Sequence, residues 1–147
     1  MLVLLFELGA DRYAIDIGHV IEVLPLVDFR HLPQAPHGVA GLFDFRGTPI
    51  PALDLTQLTL GRPAEYRLST RIIVVHDADA GGTQLVGLIA ERATETARRE
   101  PAEFVWPGVA NDRAPYLGPV ATDARGLLQL VDVKQLPSWP SPTSNAS

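Results

Sequence analysis

At 147 residues, 46% apolar and 20% charged, with a formal net charge of −5 and no cysteine, the chain suits one domain or two small units sharing a core. A disulfide framework and thiolate chemistry are excluded, and no apolar run approaches the roughly 18 residues of a membrane span. Lys134 is the only lysine and no stretch gathers several basic residues, so neither nucleic acid nor an anionic membrane surface is an expected partner.

In chain order, LVLLFEL (2–8) is a strand-forming run ended by the turn Gly9-Ala10-Asp11. It lacks a basic leader and a small-residue cleavage site, so a first strand is expected rather than a signal peptide, in a cytoplasmic protein. YAIDI (13–17) alternates, with Tyr13, Ile15 and Ile17 on one face, and completes a hairpin. RIIVV (71–75) and LVGLI (85–89) repeat the arrangement around the loop HDADAGGTQ. Pro25, Pro33, Pro36, Pro49, Pro51 and Pro63 leave no room for long helices. Short helical pieces are expected near Leu55 to Leu60 and Val133 to Leu136. From Pro137 onward, PSWPSPTSNAS has the composition of a disordered tail, 137–147.

Landmarks recur in one order. A hairpin is followed by a glutamate (Glu22, then Glu95), by a glycine leading to Arg-Gly (Gly41 to Arg46-Gly47, then Gly118 to Arg125-Gly126), and by Asp-x-x-Gln-Leu (54–58, then 132–136). Such order favours two similar β units over one sheet. A short-stranded unit avoids open edges by closing on itself. The expected fold is mostly β: two small barrels packed together over residues 1–136, roughly 14–68 and 85–136, plus a short C-terminal helix. The groove between them is the natural binding surface.

Candidate chemistry is sparse. His19, His31, His37 and His76 are scattered, without the helical pair or dense cluster of a zinc site. Asp77 and Asp79 in the HDAD loop lack the further carboxylates of a calcium loop. No nucleophile elbow and no phosphate-cradling glycine motif occurs. No metal, no cofactor and no catalysis are expected; a small hydrolase using Asp and His brought together in space is the competing reading. Arg46 is either a soluble turn residue or the partner of a carboxylate, for which Glu22 is preferred because the repeat places a glutamate in the same slot of each unit.

FELGADRYAIDIGHVIEVLPL, followed by HLPQAPHGVAGLFDFRGTPIPALDL, resembles the CheW-like domain of bacterial chemotaxis adaptors, over about residues 3 to 136. The resemblance implies two intertwined five-stranded SH3-like barrels and no catalytic activity. It implies an adaptor between the cytoplasmic tip of a chemoreceptor, seated in the inter-barrel groove, and the regulatory domain of a CheA-type histidine kinase. It also implies that Val20, Glu22, Gly41 and Arg46 fall where the family couples to receptors, with Glu22 and Arg46 as an ion pair. Gly41 would keep the groove floor clear. The family's I-N-L-R-G reads F-D-F-R-G here, so Asp44 adds a charge and Phe43 and Phe45 add apolar surface to the partner-binding set. Ala93 and Thr96 replace larger aliphatics in the second half. GLIAERATE and APYLGPVATDARGL resemble adaptors of Wsp-type surface-sensing pathways. A monomer is expected outside signalling arrays. An SH3-like module for an unrelated peptide or small ligand remains the alternative, since fold alone does not fix function.

Overall fold

The computed structural model describes residues 1–77, 84–109 and 112–137; the expected disordered tail lies outside these from residue 138, as does Asp79. Strands β1 (Leu2–Leu8) and β2 (Asp11–Asp16) form the first hairpin. β3 (Val20–Pro25), β4 (Val39–Phe45) and β5 (Thr48–Asp54) follow, then helix α1 (Leu55–Leu60). β6 (Arg71–Asp77), the long β7 (Gln84–Arg98), β8 (Leu117–Asp123) and β9 (Gly126–Val131) complete the element order.

Strand β7 organises the molecule. Its first half pairs antiparallel with β6 and parallel with β5, while its second half pairs antiparallel with β1. One five-stranded unit therefore contains β3, β6, the start of β7, β5 and β4. The other contains the end of β7, β1, β2, β9 and β8. Between the halves β7 bulges: Leu5 faces Glu95 but Glu7 faces Glu91, and Arg92 takes a positive φ of 48°. A bulge turns a strand, and here it carries β7 from one unit into the next. The expected bounds, 14–68 and 85–136, are redrawn accordingly. The N-terminal hairpin joins the C-terminal strands, and β6 belongs with β3 to β5.

Each unit curls into an SH3-like barrel whose ladder is not fully closed. The gap is spanned by one isolated bridge in each: Arg30 to Leu42 in the first, Val105 to Val120 in the second. This shared device is the structural counterpart of the sequence repeat.

The burial pattern explains the apolar run of β6. Ile72 and Val74 face the interior of the first barrel with Phe43, Phe45, Ile50 and Ile89, whereas Ile73 and Val75 face a larger core with Phe6, Ile15, Leu88 and Tyr116. A strand buried on both faces loses its polar alternation. The larger core draws on both units, so the barrels share one interior. Gly87 makes room for this packing: a Cβ there would stand 2.7 Å from the Phe43 ring.

The two Asp-x-x-Gln-Leu segments play one role. Asp54 caps α1, and Asp132 caps the 3-10 turn Val133–Gln135, each through its side chain. The first runs six residues and stops at the left-handed Gly61; the second is a single 3-10 turn, shorter than a helix, with Pro137 close behind. At the far end of the second barrel, Asp123 accepts from Arg12 at 2.8 and 2.9 Å and from Arg99 at 3.0 Å. The Arg12 hydrogen bonds hold its carboxyl well below the ordinary range. This clamp ties β2, β8 and the exit of β7 together.

Candidate partner-binding site

The first barrel closes along a seam between β3 with its continuation and β4, and Glu22, Gly41, Asp44 and Arg46 of the expected site lie on it. At one end Arg30 and Leu42 exchange two backbone hydrogen bonds of 2.7 and 2.9 Å. Gly41 precedes Leu42 with φ +153°, and a Cβ built on it would lie 2.4 Å from the Arg30 carbonyl oxygen. No side chain fits that approach, because the obstacle is backbone. Gly41 is buried, and its lack of a side chain permits barrel closure.

At the other end of the seam the β4–β5 turn carries Arg46 and Gly47, both at positive φ (52° and 86°). Two such residues between paired Phe45 and Thr48 make the hairpin turn whose twist matches the strands. Asp44 braces it, its Oδ1 accepting from the Gly47 amide at 2.7 Å. Arg46 Nη2 donates to Glu22 Oε1, and its guanidinium carbon sits 4.8 Å from the centre of the Phe45 ring. β3 and this turn share no ladder, so the ion pair spans the open part of the seam. With Arg46 67% and Glu22 31% exposed, such a pair is worth at most about 1 kcal/mol. Its larger consequence is a fixed pattern of charge at the rim.

The remaining expected residues scatter. Val20 is half-buried on β3, opposite Val75, and packs against the shared core. Phe43 and Phe45 are buried inside the first barrel, and Ala93 is buried on β7 with its amide bonded to the Ser69 carbonyl. In the isolated chain these three side chains shape the surface from beneath. Thr96 is exposed on β7 opposite Leu4, in the second barrel. Glu22, Asp44 and Arg46 thus share one rim, while Ala93 and Thr96 lie on a different barrel.

Other surface features carry no strong signal in the sequence. Tyr66 is 58% and Leu68 99% exposed in the segment after α1. Tyr66 meets Phe29 edge-on, and Phe29 meets Phe43 likewise, so an aromatic chain runs from surface to core. The segment is held from below by two buried carboxylates. Asp54 accepts from the Ala64 amide at 2.9 Å and Glu91 from the Glu65 amide at 2.9 Å. Burial raises the Asp54 pKa, opposed by its backbone hydrogen bonds and assisted by nearby Glu91. Both acids are occupied with main-chain amides. Val105 and Trp106, more than half exposed, form a separate apolar area after β7.

Comparison with known proteins bears on this arrangement. The model of the CheW-like domain matches residues 2–140. The chemotaxis protein CheW of Treponema pallidum is 34% identical over 139 residues, 89% of this chain and 78% of that one. The chemotaxis protein CheW of Helicobacter pylori is 33% identical over 94 residues, 63% of this chain and 54% of that one, so the chain spans about half the length of that relative. The crystal structure of the scaffolding protein TtCheW from Thermoanaerobacter tengcongensis has the same fold, with a TM-score of 0.77 at 23% identity over 88% of this chain and 82% of that one. Both barrels and the whole Glu22–Arg46 seam fall inside the matched span, and the chain belongs to the CheW-like domain family.

Proposed function

We propose that the chain is a non-catalytic adaptor coupling the cytoplasmic tip of a chemoreceptor to the regulatory domain of a CheA-type histidine kinase. What carries the reading is the family match across both barrels, together with relatives named as chemotaxis proteins. The rim of Glu22, Asp44 and Arg46, with Val20 beside it on β3, is the surface assigned to the receptor. No helix among the described residues is long and apolar enough to cross a membrane. The adaptor works in the cytoplasm, is recruited to receptor arrays and is monomeric outside them.

Arg46→Glu tests the rim. The variant sets two carboxylates against each other at an exposed site, so unfolding free energy should change by about 1 kcal/mol or less. Calorimetric titration with the cytoplasmic hairpin of a chemoreceptor from the same organism should show affinity reduced about tenfold or more. Unchanged affinity would remove the rim from the site. A loss of several kcal/mol in stability would make Arg46 a structural residue instead.

A further inference from the structure

The outer face of the first barrel carries a shallow hollow of about 440 Å³, lined by Arg30, Leu42, Phe43, Asp44, Gly47 and Pro49. Its floor is apolar. Leu42 comes from β4 and Pro49 from β5, where Pro49 pairs with Asp44, and the buried Phe43 lies beneath. Two charges border it, Arg30 across the bridge to Leu42 and Asp44 two residues further along β4. Both are exposed, and among the described residues neither side chain forms an ion pair. Diagonal positions of this kind stand about 7–8 Å apart at the backbone, yet the two charges do not satisfy each other.

The position of Asp44 separates two demands on one side chain. The turn needs only an oxygen acceptor for the Gly47 amide, supplied by Oδ1. An asparagine would supply the same acceptor, because its carboxamide oxygen accepts equally. The negative charge is therefore superfluous to the fold. Its other oxygen, Oδ2, makes no hydrogen bond among the described residues and borders an apolar surface. A carboxylate so placed attracts a cation that arrives with apolar groups, and rejects an acidic partner.

We infer that Asp44 is a specificity determinant: it selects a receptor tip that seats an apolar side chain in the Leu42–Pro49 hollow with a lysine or arginine beside it. The inference rests on the adaptor reading, since it assigns a charge preference to the same rim that carries Glu22 and Arg46. Charge complementarity is the reason for this occupant. Asp44 is an unpaired anion two residues from Arg46, whose own charge is already met by Glu22.

The test is calorimetric titration of the cytoplasmic hairpin of a chemoreceptor from the same organism into wild type, Asp44→Asn and Asp44→Lys, at about 50 and 300 mM salt, roughly Debye lengths of 14 and 6 Å. The kinase regulatory domain serves as a second titrant. Asp44→Asn should bind the hairpin about three- to tenfold more weakly at low salt, with a flatter salt dependence, and Asp44→Lys about tenfold or more weakly. Kinase-domain affinity should be unchanged in both variants, and the melting temperature of Asp44→Asn should match wild type. Equal hairpin affinity for wild type and Asp44→Asn at both salts would overturn the inference and leave the adaptor reading standing. So would a lowered melting temperature of Asp44→Asn, which would make the carboxylate structural. Failure of wild type to bind either titrant would overturn the adaptor reading itself, and this inference with it.

Discussion

Gly41→Asp is expected to lower the unfolding free energy by about 2–4 kcal/mol, the sum of backbone strain and overpacking at a fixed contact. The backbone is held at φ +153°, and the new Cβ would meet the Arg30 carbonyl at 2.4 Å and the Phe29 Cβ at 3.1 Å. Relief requires the chain at Arg30 to move off β4, breaking the bridge that closes the first barrel. Even Gly41→Ala should show most of the effect, because the clash begins at Cβ. Urea denaturation of the three proteins measures it. Near-equal midpoints for wild type and the alanine variant would show that the seam is open in solution. Loss of partner binding in Gly41→Asp would then not by itself locate a contact surface, whereas Arg46→Glu and Asp44→Asn leave the seam intact.

Asp54→Ala is expected to destabilise by a comparable amount, about 2–4 kcal/mol, through a lost helix cap and an orphaned buried amide. One carboxylate oxygen accepts from Thr56 and Gln57 at 3.0 and 3.1 Å, and the other from Ala64 at 2.9 Å. The residue thereby starts α1 and pins the segment that displays Tyr66 and Leu68. Its pH dependence has a definite sign. The folded-state pKa is raised, chiefly by burial, so the contribution of Asp54 is full below the unfolded value of about 4 and declines as pH rises through the folded value. The stability gap between wild type and Asp54→Ala should therefore be wider at pH 4 than at pH 7. Using the gap cancels Asp123, whose lowered pKa acts in the opposite direction. A gap that widens toward neutrality would mean that Asp54 is stabilised as the anion.

Much of this was legible in the chain because the signals were local. The helical piece expected near Leu55 to Leu60 is α1, which begins in the first Asp-x-x-Gln-Leu segment. Arg46-Gly47 between apolar runs marked the hairpin turn. The Glu22–Arg46 pairing followed from opposite charges in corresponding slots of a repeat. The strand membership of the barrels was not legible. β2 with β9 and β5 with β7 are parallel pairings between distant segments, and nothing in either segment names its partner. The continuation of β7 through AERATETAR was hidden too. The strand leaves a setting buried on both faces, and its alternation becomes polar after the bulge at Arg92. Phe43 and Phe45 carry a plainer lesson. The F-D-F alternation already assigns both rings to one face and Asp44 to the other, and burial put the rings inside. Arg30, Tyr66 and Leu68 stood in irregular segments where periodicity carries no information.

As proposed, one chain holds a receptor and a kinase together. Sedimentation velocity of an equimolar mixture of this protein, a chemoreceptor's cytoplasmic hairpin and the regulatory domain of a CheA-type histidine kinase, both from the same organism, tests this. A ternary species sedimenting faster than either binary complex is expected, reduced to the kinase binary complex by Arg46→Glu. Only mutually exclusive binary complexes, or no complex with folded components, would contradict it.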